Sequence, residues 1–551
     1  MCGYRGAAVR RLLVLASVLA AVLAAAGGAS AAPGLVVGVS DDGAKYESGQ
    51  AAPAIRSVGL GAVRLTLTWR RGQTDVPASE RGWLDRGVRA LGSDARIVLA
   101  VYGASAAEAP QDDAARDEYC AYVRSALARY PQIRDVVIWN EPNKSFFWQP
   151  QYAGDGSSAA PAAYGALLAR CWDVLHAFRG DVNLITSTSA RGNDDPGASS
   201  NVSHSPGEFI RLLGAAYRAS GRSTPLFDTV GHHPYGEHSS ERPWRSHPLS
   251  TTIGQGDWDK LTQAYHDAFA GSPQPNPGRC VADRCASIWF MEVGYQTRPD
   301  DAKAGLYGGA ENTEQPLAAG SAGDPAGAPV SETSPAPDQA TQLVDAIRLA
   351  ACQPYVGAYF TFLLRDETDL RAWQSGLFWA DWTPKPAAGA VAEAIREVAA
   401  GRVDCAALKG LRRAAGGGSA AGSAPPPGAF PAPRTDVFVR HVAWPRARSF
   451  NWRNDLWRFR ITAGEPATYR ATLVRVGVLR GSRMAAIRPR VVRLVTGELK
   501  LGYFSWVTFA RGRLVPGARY RMEIVLTSKE SSARTKRLVG PPLVVLRRPS
   551  R

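Results

Sequence analysis

Two glutamates end apolar runs in this chain. Val136-Val137-Ile138-Trp139-Asn140-Glu141-Pro142-Asn143 reads as a buried strand closed by a carboxylate, with Pro142 stopping the strand and turning the chain outward. Ile288-Trp289-Phe290-Met291-Glu292-Val293-Gly294 repeats the pattern. An unpaired carboxylate at the end of a buried strand costs free energy, so packing alone gives little reason for either residue. Two carboxylates facing one cleft are what glycosidic cleavage requires. One protonates the leaving oxygen, and the other attacks the anomeric carbon or activates a water.

The elements that must position them form a repeating pattern. Short apolar runs over 35–39, 63–68, 97–102, 136–139, 183–188, 229–232, 287–292 and 358–364 predict strands buried on both faces. Helical patterns such as Asp113–Ala128, Tyr164–Phe178, Pro206–Ser220 and Gln339–Ala351 separate them. Eight such strands alternating with helices predict an α/β fold, a (β/α)8 TIM barrel, whose active site sits at the C-terminal strand ends. An open doubly wound sheet is the alternative, but no Gly-rich phosphate turn follows any strand. Long segments over 236–257 and 302–338 follow the sixth and seventh predicted strands. Loops of that length are usually functional or disordered.

With these motifs in place, the chain from about Gly34 to Ala399 resembles glycoside hydrolase clan A, with similarity to families 5 and 39. The resemblance implies that Glu141, after Asn140 at the end of strand four, is the acid/base. It implies that Glu292, at the end of strand seven, is the nucleophile of a retaining, two-glutamate O-glycosyl hydrolase acting on a β-linked glycan. It also implies that Arg64 in Val63-Arg64-Leu65-Thr66 hydrogen-bonds the nucleophile, and that Asn140 contacts the sugar 2-hydroxyl. His233-Pro234-Tyr235 resembles the clan's His-x-Tyr, with His233 bordering the subsite and Tyr235 steadying the nucleophile; His232 is the alternative histidine. Glu292 is then expected to stay ionised beside Arg64, and Glu141 to stay protonated through burial and its charged neighbour. The sequence departs from the family at strand eight. No tryptophan stands at the tip of Tyr359-Phe360-Thr361-Phe362-Leu363-Leu364, and Trp373 in the next loop is the candidate floor of the sugar site. Trp69, Tyr102, Trp148, Trp244, Tyr295 and Trp379 are further candidates for the mouth, each equally consistent with core packing.

Residues 1–31 read as an export signal: Arg5, Arg10 and Arg11, an apolar run from Leu12 to Ala26, then a small-residue site ending at Ala31. A secreted, extracellular protein follows, with no membrane segment after cleavage. Six cysteines then remain, and an even number in an exported chain suggests disulfides. Barrel adjacency favours Cys120–Cys171 and Cys352–Cys405, and proximity favours Cys280–Cys285. No Cys/His spacing suggests a metal, and no cofactor motif is found.

The barrel domain is expected over 32–413, a Gly/Ala/Pro-rich linker over 414–433, and a small all-β sandwich over 434–551. The last segment holds about 26 Lys/Arg against about 6 Asp/Glu, a net of about +20, so the rest of the chain nets about −4 of the +16 total and the basic character belongs to this segment alone. That charge is either a solvated face or an adhesive surface for an anionic cell-wall polymer. No nucleic-acid recognition motif accompanies it. The reading that competes with an enzyme is a non-catalytic polysaccharide- or wall-binding protein on a glycosidase-like barrel.

Overall fold

The computed structural model describes residues 34–248, 250–277, 286–310, 338–353 and 355–408, and the strands between 439 and 544 named below. The expected signal, the expected linker, Cys280, Cys285 and most of the 302–338 segment lie outside the described residues.

Parallel strands close a barrel: β1 (Val36–Ser40), β2 (Ala62–Trp69), β3 (Arg96–Gly103), β4 (Asp135–Ile138), β5 (Asn183–Ile185), β6 (Thr188–Ser189), β7 (Thr229–His233), β8 (Ser287–Val293) and β9 (Val356–Thr361). Their hydrogen-bonded order is β5-β4-β3-β2-β1-β9-β8-β7-β6, and Ile185 of β5 pairs with Thr229 of β7 to complete the ring. β5 and β6 are two pieces of one barrel strand, interrupted at Thr186-Ser187, so the (β/α)8 plan holds. Helices start where capping chemistry allows. Asp112 accepts from the Ala115 N–H at 2.8 Å ahead of the helix Asp113–Arg129. Asp338 does the same for Thr341 at 2.9 Å ahead of Gln339–Ala351, and Pro206 opens Pro206–Ala219 behind Ser205.

Alternation along the strands decides what faces the barrel interior. Val37 and Val39, Val63 and Leu65, Leu99 and Val101, and Val136 and Ile138 pack outward against the helices. Ala62, Val98, Ala100, Val137, Ile185, Trp289, Met291, Ala358 and Phe360 fill the interior. The residues between the outward ones are therefore the ones available at the mouth.

Among the described residues, two disulfides tie the outer layer. Cys120 joins Cys171 across neighbouring helices with Cα atoms 5.0 Å apart, and Cys352 joins Cys405 at 5.4 Å. Among the described residues no helix is long and apolar enough to cross a membrane.

Beyond residue 438 the strands are antiparallel. β10 (Val439–Ala443), β11 (Leu456–Ala463) and β14 (Phe504–Ala510) form one sheet. β12 (Ala467–Arg480), β13 (Arg483–Leu499), β15 (Ala518–Ser528), β16 (Thr535–Val539) and β17 (Leu543–Val544) form another. Ile461 from the first shares a buried cluster with Leu473, Tyr520, Ile524 and Leu526 from the second.

Candidate active site

Strand geometry delivers a compact set of polar side chains to one end of the barrel. On β1 and β2, alternation turns Ser40 and Arg64 inward, away from Val39 and Val63. Arg64 is buried, and its guanidinium is shared three ways: Nη1 donates to Glu292 Oε1 at 2.7 Å and to Ser40 Oγ at 2.8 Å, while Nη2 donates to Asn140 Oδ1 at 2.8 Å. One cation thus links strands one, two, four and seven of the barrel. Charge-assisted bonds of this kind are the strong ones.

Glu292 reaches the interior through a break in register. Trp289 and Met291 already face inward, so strict alternation would put Glu292 outside. Phe290 pairs with Tyr359 but Val293 pairs with Thr361, which leaves one extra residue on β8. That irregularity re-aims the carboxylate into the mouth and returns Val293 to the helix-facing layer. Gly294 follows because a Cβ there would lie 2.3 Å from the Phe362 carbonyl oxygen.

The other glutamate sits on a sharp bend after β4. Trp139 and Glu141 have positive φ angles of 66° and 37°. Conformations like these cost on the order of 1–3 kcal/mol each and persist only where surrounding contacts hold them. Here Trp139 is locked against Trp69, Tyr119 and Trp148, and its Nε1 donates to the Phe147 carbonyl at 2.8 Å. Glu141 then points to His233, whose Nδ1 lies 2.8 Å from Glu141 Oε1 and 3.5 Å from Glu292 Oε2. Tyr235 Oη donates to Glu292 Oε2 at 3.2 Å. One oxygen of Glu141, His233 Nδ1 and one oxygen of Glu292 all lie within 4.8 Å of one another. Both carboxylates stay slightly open, at 13% and 12% side-chain exposure.

Alternation also separates the two adjacent histidines. Val230 faces the helices, so His232 does too and His233 faces in. His232 is buried against Thr188 Oγ1 at 2.9 Å and the Ile253 carbonyl at 2.8 Å, and burial pushes its pKa down to about 4. Both of its ring nitrogens are engaged away from the two glutamates.

The ionisation of Glu141 differs from the expectation of a protonated group. Burial pushes its pKa up and is the largest single influence, but the hydrogen bond and charge of His233, with Lys144 and His232 further off, outweigh burial and leave it lowered. Both Glu292 oxygens are engaged, Oε1 by Arg64 and Oε2 by Tyr235, and Glu141 Oε1 is engaged by His233.

Trp373 comes back from its loop to the strand tip. Its ring lies 5.3 Å from Phe362, edge to face, and 5.5 Å from Tyr235. Phe362, two residues on from the inward-facing Phe360, takes the strand-tip position. Of the other aromatics expected at the mouth, Trp69, Trp148, Trp244, Tyr295 and Trp379 are instead core, each at most 5% exposed, and only Tyr102 keeps an open edge. Their rings are consumed by packing around the bend at Trp139 and beneath the loops. Ser40, Ser187 and Phe362 are site residues that the sequence did not single out. Ser187 Oγ lies 3.3 Å from His233 Nε2. Small hydroxyls carry no distinctive signal, and only their place at strand ends would have found them.

Neither a protein-family model nor a curated protein matches the sequence. Solved structures do show likeness in fold, at low identity. A family 39 glycoside hydrolase from Bacteroides cellulosilyticus WH2 is 12% identical over 87% of this chain and 81% of that one, with a TM-score of 0.42. A GH5_18 protein from Streptomyces cattleya, solved with GlcNAc, is 16% identical over 67% of this chain and 81% of its own, at 0.43. An exo-β-1,4-mannosidase from Opitutaceae bacterium strain TAV5 is 13% identical over 67% and 60%, at 0.39. These barrels are what the chain is similar to in architecture.

Proposed function

We propose that this chain is an exported retaining glycoside hydrolase that cleaves β-linked glycosides by double displacement. The observation that carries the reading is the spacing of Glu141 and Glu292, whose nearest oxygens lie within 4.8 Å at the mouth of the barrel. Retaining pairs stand about 5–5.5 Å apart, and inverting pairs roughly 6.5–9.5 Å, to admit a water. In this reading Glu292 attacks the anomeric carbon while the leaving oxygen takes a proton from Glu141. A water then gives its proton to Glu141, and its oxygen displaces Glu292 from the sugar. Arg64 and Tyr235 hold Glu292 in line, and Asn140, fixed by Arg64, meets the 2-hydroxyl. A sugar filling the cleft would strip the remaining water from Glu141, strengthening the burial that favours its protonated form. Trp373 with Tyr235 and Phe362 offers an apolar wall for the sugar's C–H face.

Export follows from the 1–31 signal reading and is consistent with the two disulfides. The barrel over 32–413 would do the chemistry, and the basic module over 434–551 would hold the enzyme on an anionic wall polymer. The test is a panel of 4-nitrophenyl glycosides and polysaccharides. Hydrolysis by the wild type that disappears in Glu292→Gln, while binding of the same glycan persists, supports the reading. Binding without hydrolysis by the wild type would replace it with the non-catalytic alternative.

A further inference from the structure

A second polar cluster lies in the segment that follows β7. Glu237, Glu241 and His247 each place one side-chain oxygen or nitrogen within 4.8 Å of the other two. None of them belongs to the catalytic constellation, although Tyr235 lies only two residues before Glu237.

The imidazole is prepared as a ligand. His247 Nδ1 donates to Asp257 Oδ2 at 2.7 Å. Asp257 is itself fixed, since its oxygens accept the backbone N–H of His247 at 2.6 Å and of Gly254 at 3.0 Å. A carboxylate on Nδ1 orients the ring and leaves Nε2 as the atom that would meet a metal, as behind metal-bound histidines. The His247 side chain is 6% exposed, and Nε2 has no hydrogen-bond partner. It lies 2.8 Å from Glu241 Oε1. That distance suits an imidazolium–carboxylate ion pair, but the pair lacks hydrogen-bond geometry. In the metal-free protein, against the effect of burial, the flanking carboxylates of Asp257 and Glu241 push the His247 pKa up to about 9, so a metal ion would bind by displacing the Nε2 proton.

The carboxylates are also held. Glu241 Oε2 accepts the backbone N–H of Glu237 at 3.3 Å, and Glu237 Oε1 accepts from Thr252 Oγ1 at 3.4 Å. Each keeps an oxygen free of those bonds.

We propose that Glu237, Glu241 and His247 form a binding site for a divalent transition metal of the zinc class, with Asp257 as the residue that orients His247. One imidazole nitrogen and two carboxylates, with a fourth position open to water, suit zinc, whereas calcium and magnesium favour all-oxygen shells. Zinc ligands of these types stand about 2.0–2.2 Å from the ion, and the three atoms already lie within 4.8 Å of one another. The bound ion would cross-link the start and end of the 237–247 stretch. It would brace the loop that carries Tyr235 into the active site. The proposal does not depend on the hydrolase reading.

The test uses the full, untagged chain stripped with EDTA and titrated with zinc chloride, followed by calorimetry and thermal unfolding. One zinc is expected per wild-type chain, with a rise in Tm of several degrees. Glu237→Gln, at an exposed residue whose loss should not unfold the protein, should weaken binding at least ~10-fold, and His247→Gln should abolish it. An unchanged wild-type Tm, an equal shift in both variants, or a response to calcium and not to zinc would overturn the site. In those cases a proton on Nε2 would be its occupant.

Discussion

Removing His233 should move the pH dependence of turnover in a direction opposite to that of simple loss of a positioning group. In the wild type, His233 lowers the Glu141 pKa against a burial contribution that alone would raise it. Replacement by Ala deletes both the hydrogen bond and the charge and leaves burial unopposed. A hydrogen bond to a charged group is worth about 1.5–3 kcal/mol. At 1.36 kcal/mol per unit this is about 1–2 pH units upward. The basic limb of kcat/KM reports the acid in free enzyme, so in His233→Ala it should shift up by that amount. Activity at the optimum should fall about 10–100-fold as Glu141 loses its orienting partner. His233→Asn keeps a neutral donor near the Nδ1 position, and the limb should move only part of the way. The assay is kcat/KM from pH 4 to 10 on the best 4-nitrophenyl glycoside, with circular dichroism to verify folding. A basic limb that stays in place or moves down in His233→Ala would refute the reasoning.

Other consequences can be checked in the same preparations. Arg64→Met should cost at least ~100-fold in kcat/KM, because Glu292, Asn140 and Ser40 lose their shared donor, whereas Tyr235→Phe, which removes one 3.2 Å bond to Glu292, should cost about 10-fold. Equal losses in the two variants would contradict that ranking. Reducing both disulfides should lower Tm measurably, since each closes a loop of about fifty residues and loop-closure entropy gives up to about 4 kcal/mol per bridge; an unchanged Tm after verified reduction would exclude this. His232 has a folded pKa depressed to about 4 from 6.5, so its contribution is present above pH 6.5 and lost as pH falls through 4. The stability advantage of wild type over His232→Gln should therefore shrink by about 3 kcal/mol between pH 7 and pH 4, measured by urea unfolding. A constant difference would mean that His232 does not titrate in this way.

Much of the site was legible because strand ends and alternation are local properties. Glu141, Arg64 and the choice of His233 over His232 follow once the apolar partners of each strand are known to face the helices. Glu292 is different. Its strand was evident, but simple alternation aims it outward, and only a pairing irregularity between β8 and β9 brings it in. Pairing register is a property of two strands, invisible in either alone. The same holds for Trp373, whose loop folds back to Phe362 and Tyr235. Trp69 and Trp148 stayed open between sugar stacking and core packing because composition cannot tell a ring in a cleft from one buttressing a strained bend, and both prove to be core. The expected protonation of Glu141 weighed burial and charge but not the 2.8 Å contact to His233, which decides the sign. In the C-terminal sheet, β16 (Thr535–Val539) carries little apolar signal in the sequence, because Lys536 and Arg537 interrupt it.

The most direct test of the central claim is the stereochemistry of the first-formed product. Proton NMR of the fresh hydrolysate, taken before mutarotation on the glycoside cleaved fastest, should show the β-anomer from a β-glycoside, as double displacement through Glu292 requires. The α-anomer appearing first would mean single displacement by water, and would contradict the assignment of Glu292 as nucleophile.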